Sequence, residues 1–559
     1  MSQKLQSWLI PLAACIVLVI VLWLPFGIKV TGLMEEWMSL HDIEKVVRTG
    51  QAQDYSLVMT AGDQRLRPLG ELAPILSYRL TPDSFTGFNL VMMLLFIGKG
   101  FVLYLIMRRL TRGNKVYSLL VALLFVVFPA DSGLFTFRAI NIHAGVLEYL
   151  LAVYFLLEFV QSRRWWWLIG AWVVAIYALL TYEIAYPLVF VTPLLLIIQE
   201  GRFTKQIVWE SILWYLAPLV TILYVAVEFT QGSSYQGWLL QHSGLNQSSV
   251  LGDMAASMVN AYYRHFVGGW LEALGQLGTP YLVLSLAMLT LILVIGLRMI
   301  RIKADSDAEV GKQRYWILAL IGFGLIGLGY APYLVTPYRQ LDWRVYYYSS
   351  IGGAICIGSL IYLFFLYTKL RPIVFVGVMS VLIGLATLHS LNQHEYYADL
   401  GVTQQELLYG IVEQVPHLKS AAPIVVVDET GRYNSNWSLG TSYLITDALD
   451  YLYSNQQITA VLCSFDAKTG KFAILPEQHE QCSFMPAGVS LSIEGKQVAT
   501  YPYDQLLLVR YSADGAQLLK QIPSSYLPVS AEQVYNPAQF VDQTAPPPYR
   551  FHTFFSISG

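Results

Sequence analysis

The chain has 559 residues, of which 13% are charged and 55% hydrophobic, and its mean hydropathy is +0.50. Soluble domains usually carry about 25% charged residues. So few charges cannot cover the surface of an ordinary soluble protein, and lipid is the simplest solvent for such a surface. The net charge of −2, without a basic arm or an acidic tail, gives no sign of nucleic-acid binding.

Apolar runs taken in chain order predict about eleven transmembrane helices, because about twenty apolar residues cross the hydrocarbon core of a bilayer. These runs lie near residues 8–28, 88–107, 116–130, 142–160, 165–181, 186–199, 207–228, 279–299, 315–336, 348–367 and 372–391. The first run is predicted to be a retained helix, since no small-residue cleavage site follows it. The predicted fold class is a polytopic α-helical membrane protein.

Lys and Arg residues in the short loops predict the orientation of the helices. With a cytoplasmic N-terminus, sixteen of them lie in short cytoplasmic segments. Four lie in short outer segments, namely Arg138, Arg264, Arg339 and Arg344. We therefore predict a cytoplasmic N-terminus and three outer pieces, which are a first loop at 29–87, a second loop at 229–278 and the tail.

The polar tail predicts a second domain. Residues 1–391 form the predicted transmembrane domain, and residues 392–559 form a predicted C-terminal extracytoplasmic α/β domain. The runs PIVVVD and ITAVLCSF have the composition of buried strands. Cys463 and Cys482 lie in this tail, where an oxidising compartment would permit a disulfide. Two unpaired thiols on neighbouring strands are the alternative.

The first outer loop holds the acidic residues closest to the end of the first span. It begins with TGLMEEWMSLHDIEK, which contains Glu35 and Glu36, and continues with DQRLRPLGELAPILSYRL, which contains Arg65, Arg67 and Arg79. Carboxylates at an apolar boundary suit a general base, because partial burial and a neighbouring cation tune their pKa. The alternative is a set of solvated acids on an amphipathic helix at the membrane surface.

This layout resembles the GT-C class of membrane glycosyltransferases, which includes protein O-mannosyltransferases and bacterial aminoarabinose transferases. The features that carry the resemblance are the many spans, the long first outer loop and an acid just past the first span, here Glu35 or Glu36. The class usually has aspartate at that position, where it acts on the acceptor. The resemblance implies a GT-C-like membrane domain in a bacterial plasma membrane.

The second outer connection, PADSGLFTFRAINIH, supplies Asp131, Arg138 and His143. In the GT-C class this loop often places a second acid or polar group beside the donor phosphate or a metal. Asp131 could equally be a turn residue after Pro129, and a lone histidine is more often a satisfied interfacial side chain than a ligand. The spacing of His, Cys, Asp and Glu predicts no metal site, and it leaves a divalent metal open.

Glu183 lies in LLTYEIAYPL, in the tight connection between the fifth and sixth spans. An ionisable residue so close to the apolar core is costly, which makes it a functional candidate. The alternative is an interface residue whose carboxylate reaches water.

Arg339 and Arg344 lie among tyrosines and a tryptophan in YLVTPYRQLDWRVYYYSS, on the predicted outer face. A guanidinium presents a planar fork that suits a phosphate. Two snorkelling arginines in an ordinary aromatic belt are the alternative. Arg264 in NAYYRHF is a weaker candidate of the same kind.

These residues and the resemblance predict a glycosyltransferase that uses a polyprenyl-phosphate-linked sugar. Arg344, with Arg339 or Arg65, would bind the donor phosphate, and Glu35 or Glu36 would deprotonate a saccharide, lipid or protein acceptor. Direct displacement at the anomeric carbon would invert its configuration. No cofactor is predicted, and the expected partners are the donor, the acceptor and membrane lipids. A transporter or flippase of lipid-linked saccharides and a non-catalytic membrane scaffold are the alternatives.

Overall fold

The computed structural model describes most of the chain. The described residues are 3–28, 36–49, 66–201, 203–229, 237, 243, 249–301, 311–341, 343–433, 439–454, 457–466, 468–475, 479–527 and 534–555. Among the predicted site residues, Glu35 and Arg65 lie outside these ranges.

Helices make up the first three quarters of the described chain. They are α1 (Gln3–Trp23), α2 (Glu36–Thr49), α3 (Leu72–Leu80), α4 (Thr86–Leu110), α5 (Lys115–Val126), α6 (Ile140–Ser162), α7 (Trp165–Thr181), α8 (Tyr186–Val191), α9 (Leu194–Glu200), α10 (Lys205–Phe229), α11 (Val250–Tyr263), α12 (Gly269–Gly275), α13 (Leu282–Arg301), α14 (Lys312–Tyr330), α15 (Ser349–Thr368) and α16 (Pro372–Gln414).

Eight helical segments of the described chain are long and apolar enough to cross a membrane. They are Thr86–Leu110, Phe137–Ser162, Glu183–Glu200, Lys205–Glu228, Leu282–Ile300, Lys312–Val335, Ser349–Thr368 and Pro372–Gln414. Shorter apolar helices at Trp8–Trp23, Lys115–Val126 and Trp165–Thr181 coincide with the other three predicted spans. A polytopic helical membrane protein is therefore confirmed, and the count of eleven crossings stays a prediction.

Small residues let neighbouring helices approach each other closely. A Cβ atom added at Gly322 on α14 would lie 2.6 Å from the backbone nitrogen of Cys356 and 2.8 Å from the carbonyl oxygen of Gly352, both on α15. Only glycine fits at such a distance, because any Cβ atom would overlap the backbone of α15. Such close approach stabilises the pair, since helices in lipid associate largely through van der Waals packing. α14 and α15 consequently form a tight pair that leads directly into the segment holding Arg344.

Helix α2 in the first outer loop is amphipathic. Trp37, Leu40 and Ile43 lie on one face at helical spacing and are buried. The indole nitrogen of Trp37 donates a hydrogen bond to Oε1 of Gln404, at 3.2 Å, near the end of α16. The predicted boundary at residue 391 falls inside α16, which continues without a break to Gln414. One long helix thus connects the membrane part to the tail and supports the first outer loop.

The described part of the tail, beyond α16, contains two sheets and two α-helices. Their elements are β1 (Ile424–Asp428), α17 (Ser442–Leu452), β2 (Ala460–Asp466), β3 (Lys471–Phe472), β4 (Ile474–Leu475), β5 (Glu480–Met485), β6 (Gly488–Ile493), β7 (Lys496–Tyr501), β8 (Leu507–Ser512), β9 (Gly515–Leu518) and α18 (Tyr549–Phe555). The strand order is β3-β2-β1-β8-β9 in one sheet and β4-β5-β6-β7 in the other.

The first sheet of the tail has a parallel centre, because β1 pairs in parallel with both β2 and β8. Every residue of β1 is buried, as expected for a central strand that is covered on both faces. A disulfide joins Cys463 on β2 to Cys482 on β5, with a Cα–Cα distance of 5.4 Å. Of the two alternatives for these cysteines, the structure contains the bonded one, and it ties the two sheets together.

Candidate active site

Glu36 is the first residue of α2, and only 5% of its surface is exposed. Its Oε1 atom accepts a hydrogen bond of 3.2 Å from the backbone N–H of Arg138. The first outer loop therefore meets the second outer connection at Glu36. A carboxylate at the first turn of a helix is also stabilised by the helix dipole, which favours negative charge at that end.

Asp131 is fully buried in the connection between α5 and α6. Its Oδ1 atom accepts hydrogen bonds from the backbone N–H groups of Gly133 (2.7 Å) and Arg344 (2.9 Å), and its Oδ2 atom accepts one from Tyr346 (2.8 Å). Burial raises the pKa of Asp131, while the three amide donors oppose that rise because they bind the carboxylate form. Both oxygens thus hold the segment that carries Arg344.

Gly133 lies where the turn packs closely against Tyr347 and the Arg344 backbone. A Cβ atom there would lie 3.2 Å from the hydroxyl of Tyr347, 3.3 Å from Oδ1 of Asp131 and 3.4 Å from the backbone nitrogen of Arg344. These distances are shorter than most Cβ contacts, so a larger residue would require Tyr347, Asp131 or the Arg344 backbone to shift slightly. The turn at 131–133 and the segment at 344–347 therefore form one packed unit.

Arg344 has a left-handed backbone conformation, with φ of +64°. Its guanidinium carbon lies 4.2 Å from the ring centre of Trp343 and 5.8 Å from that of Tyr338. The hydroxyl of Tyr333 donates a hydrogen bond of 2.9 Å to the carbonyl oxygen of Arg344. An arginine without the steric freedom of glycine adopts this conformation only where surrounding contacts hold it, which is common at functional sites.

Tyr397 on α16 binds the second outer connection between Asp131 and Arg138. Its side chain interacts electrostatically with both Glu36 and Arg344. Its hydroxyl donates a hydrogen bond of 2.7 Å to the carbonyl oxygen of Ser132, next to Asp131. Glu36 and Arg344 therefore both contact the second outer connection, Glu36 at Arg138 and Arg344 at Asp131.

Glu183 forms an ion pair with Arg67 of the first outer loop. Nε and Nη2 of Arg67 donate hydrogen bonds of 2.5 Å each to the two carboxylate oxygens. The guanidinium carbon of Arg67 also lies 4.5 Å from the ring centre of Tyr182. The Tyr182 hydroxyl lies 3.4 Å from that of Tyr333, which in turn binds Arg344. Arg67 and Glu183 are therefore linked to the Arg344 segment.

Glu71 is a further acidic residue of the first outer loop, and it was not among the candidates predicted from the sequence. Partial burial and the nearby charge of Asp42 raise its pKa to about 7, although Arg67 acts in the opposite direction. A carboxyl group with a pKa near neutrality suits proton transfer. The signal available in the sequence was its place in LGELAP, four residues after Arg67.

Arg339 and Arg264 bind parts of the chain itself. Nη1 of Arg339 donates a hydrogen bond of 2.5 Å to the carbonyl oxygen of Ser243. Nε of Arg264 donates one of 3.2 Å to the carbonyl oxygen of Ala130, and Nη2 of Arg264 donates one of 3.0 Å to Glu272. Both guanidiniums are buried and anchor outer segments, and their part in phosphate binding stays a prediction.

His143 is fully buried at the start of α6. Its Nε2 atom lies 3.0 Å from the carbonyl oxygen of Leu134, so this nitrogen carries the proton. Its Nδ1 atom lies 3.1 Å from Nζ of Lys99, which donates to it. Both ring nitrogens thus have partners. In the part of the chain that the structure describes, no group of three or more His, Cys, Asp or Glu side chains is arranged to hold a metal ion.

The end of the tail holds α2 in place. Arg550 on α18 is 2% exposed and pairs with Glu44 on α2, and its Nε atom lies 2.9 Å from Oδ1 of Asp83. On the same helix α2, Nε2 of His41 lies 2.8 Å from Oδ2 of Asp450. Burial opposes ionisation of Asp450, but its hydrogen bonds with His41 and with a backbone amide outweigh this and lower its pKa. The helix that begins with Glu36 is therefore clamped by the tail.

Replacing Arg550 tests this clamp. Arg550→Ala would leave the carboxylate of Glu44 buried without its cation, which typically costs about 3–5 kcal/mol. We expect a lower unfolding midpoint and faster hydrogen exchange in α2. Arg432→Ala is the matched control, because Arg432 and its partner Glu406 are 48% and 46% exposed and such pairs contribute under about 1 kcal/mol. Equal exchange rates of α2 in both variants would contradict the clamp.

A comparison with known families finds a similarity over part of the chain. Residues 68–225 match the family model described as dolichyl-phosphate-mannose-protein mannosyltransferase. This confirms the predicted resemblance to GT-C membrane glycosyltransferases. The matched range contains Asp131, Arg138, His143 and Glu183, and it begins one residue after Arg67. No curated protein matches the chain.

Proposed function

We propose that the chain is a membrane glycosyltransferase that moves a sugar from a polyprenyl-phosphate donor to an extracytoplasmic acceptor, with inversion at the anomeric carbon. The observation that carries the proposal is that Glu36 and the Arg344 segment both bind the second outer connection, Glu36 at Arg138 and the Arg344 segment at Asp131. The family model that matches residues 68–225 is named for a dolichyl-phosphate-mannose donor. A mannosyl polyprenyl phosphate is therefore the first donor to test.

Glu36 is the proposed general base. It accepts the proton of an acceptor hydroxyl as that oxygen bonds to the anomeric carbon. The bond between this carbon and the phosphate oxygen breaks in the same step, and its electron pair leaves with the polyprenyl phosphate. One displacement from the opposite side inverts the configuration. Glu35, which lies outside the described residues, is the alternative base.

Arg344 is the proposed phosphate-binding residue. Negative charge grows on the leaving phosphate during the displacement, and a cation fixed beforehand stabilises it. Arg344 is held in place before the donor binds. The backbone N–H groups of Arg344 and Tyr346 donate hydrogen bonds to Asp131, and the rings of Trp343 and Tyr338 lie beside the guanidinium. Arg339 and Arg65 remain proposed helpers on the same face. Arg67, already neutralised by Glu183, is proposed to shape the site.

Asp131 does not fit the role of a metal ligand. Backbone amides occupy three of its roughly four acceptor sites and the residue is fully buried, which leaves little room for a metal ion beside it. We therefore derive no step through a metal. Asp131 is proposed to position Arg344. Arg138, His143 and Arg264 are proposed to hold the walls of the site, given their contacts with Glu36, Leu134 and Ala130.

The site is proposed to face the extracytoplasmic side of a bacterial plasma membrane, with the N-terminus in the cytoplasm. The disulfide between Cys463 and Cys482 supports this orientation, because disulfides persist in oxidising compartments. Nucleotide sugars are absent there, which is why a lipid-linked donor is proposed.

Reconstitution tests the function. Full-length protein in proteoliposomes would receive polyprenyl phosphate bearing labelled mannose, together with an envelope lipid extract as acceptor. We expect the label to leave the carrier and polyprenyl phosphate to accumulate, and no transfer from a nucleotide-linked mannose. Label that stays on the carrier but changes leaflet would overturn the proposal in favour of a transporter. Label that neither moves nor transfers would also overturn it.

A further inference from the structure

Among the described residues, four arginines line a cavity at the end of the bundle opposite the candidate active site. The cavity has a volume of about 640 Å³ and lies between the last turns of α4, α6 and α9 and the start of α1. Its lining includes Arg108, Arg109, Arg112 and Arg163, together with the acid Glu200. The proposed reaction uses none of these residues.

Tryptophans place this cavity at the level of lipid headgroups. Trp8 lines the cavity and is 40% exposed, and Trp165 and Trp166, which follow α6, are also exposed. Tryptophan is enriched at both membrane–water interfaces, where its ring is apolar and its N–H is wet. A lipid headgroup can therefore reach the cavity from the bilayer.

The cavity carries an excess of positive charge. Arg109 pairs with Glu158, and Arg163 pairs with Glu210. The guanidinium of Arg108 lies instead over the ring of Trp8, 5.7 Å from its centre. Arg112 is exposed, and its charge acts on the nearby Arg314.

Gly201 lies beside the guanidinium groups of Arg112 and Arg314. A Cβ atom added there would lie 3.5 Å from Nη2 of Arg112 and 3.8 Å from Nη2 of Arg314. The two Nη2 atoms therefore lie within about 7 Å of each other, where like charges repel, and a bound anion would relieve that repulsion.

Two of these arginines adopt the backbone conformation in which glycine is preferred. Arg112 and Arg163 end α4 and α6 with φ of +52° and +58°. A left-handed residue at a helix end is usually glycine, since other side chains are strained there. An arginine at each of these two helix ends therefore has a conformational cost. Both side chains line the same cavity.

We propose that this cavity binds the headgroup of an anionic phospholipid, whose phosphate is held by Arg108 and Arg112. Basic pockets between transmembrane helices bind anionic headgroups through charge and through the bidentate fork of arginine. The ligand is a bilayer lipid and not the sugar donor, because the cavity lies at the opposite membrane face from Glu36 and Arg344. The inference does not depend on the proposed reaction.

Native mass spectrometry of the full-length protein tests the site, with phosphatidylglycerol and phosphatidylcholine as probes. We expect phosphatidylglycerol to bind in preference to phosphatidylcholine. Arg108→Gln combined with Arg112→Gln removes two charges that are not in the ion pairs with Glu158 and Glu210. Near a membrane surface each charge contributes about 1 kcal/mol, so phosphatidylglycerol should bind about thirtyfold more weakly.

Lys369→Gln combined with Arg371→Gln is the matched control. Both residues are exposed in the connection between α15 and α16, at the same face as the cavity and outside its lining. This control should keep wild-type phosphatidylglycerol binding. Equal loss in the two double variants would overturn the site in favour of general surface charge, and no loss in either would overturn it as well.

Two further arms complete the test. Arg112→Gln alone alters an exposed side chain, so it should fold normally and still weaken lipid binding. An excess of inorganic phosphate should not displace phosphatidylglycerol. If inorganic phosphate displaces the lipid completely, the cavity binds free phosphate and the lipid proposal is wrong.

Discussion

Glu36→Gln is expected to abolish most glycosyl transfer while leaving the protein folded. Glutamine has nearly the same shape, and its amide oxygen can still accept the N–H of Arg138. It cannot accept a proton from the acceptor, and a general base contributes about 10²–10⁴-fold to a rate. We therefore expect kcat to fall by about 10²–10⁴-fold with little change in KM for the donor, measured as release of polyprenyl phosphate.

Asp42→Asn is the matched control for Glu36→Gln. Asp42 lies on the same helix, and its side chain is 55% exposed. The same carboxylate-to-amide change there should leave turnover near that of the wild type. If Glu36→Gln also turns over at the wild-type rate, Glu36 is not the base, and the same substitution at Glu35 becomes the decisive measurement.

Arg344→Gln is expected to impair transfer through the leaving phosphate. The substitution removes the cation and keeps an unbranched polar side chain at the same left-handed position, so backbone strain should be similar in both proteins. Loss of one preorganised group that stabilises developing charge typically lowers kcat by about 10²–10³-fold. Binding of the phosphate should weaken too, which raises KM for the lipid-linked donor.

Arg344→Lys separates charge from geometry. Lysine keeps the positive charge but loses the planar fork, so activity between that of Arg344→Gln and the wild type is expected. Arg432→Gln, at an exposed arginine in the tail, is the control and should behave like the wild type. A wild-type kcat/KM for Arg344→Gln would exclude Arg344 as the phosphate-binding residue.

Much of the architecture was predictable because hydropathy is a local property. Every apolar run predicted to cross the membrane coincides with an apolar helix in the described chain. In the tail, PIVVVD and ITAVLCSF form β1 and β2. Hydropathy falls at residue 391 and predicts a boundary there, yet α16 continues to Gln414 because helical hydrogen bonding does not depend on the polarity of the side chains.

The choice among neighbouring loop residues was less predictable. The composition of the first outer loop does not distinguish Arg67 from its neighbours. The pairing of Arg67 with Glu183 comes from the packing of that loop against the connection between α7 and α8. Tyr397 was not selected from the sequence, since one tyrosine among 37 carries no signal of its own. Its importance comes from its position on a 43-residue helix, from which it binds the second outer connection at Ser132.

The amino-acid sequence by itself determined that lipid surrounds much of this protein. It also determined the positions of the apolar helices and the residue types available near one membrane face. Tertiary structure alone decided which of those residues meet. Asp131 binds the backbone of Arg344 across 213 positions, and Arg550 binds Glu44 across 506. Such contacts depend on how complete helices pack and cross, and no short stretch of sequence carries that information.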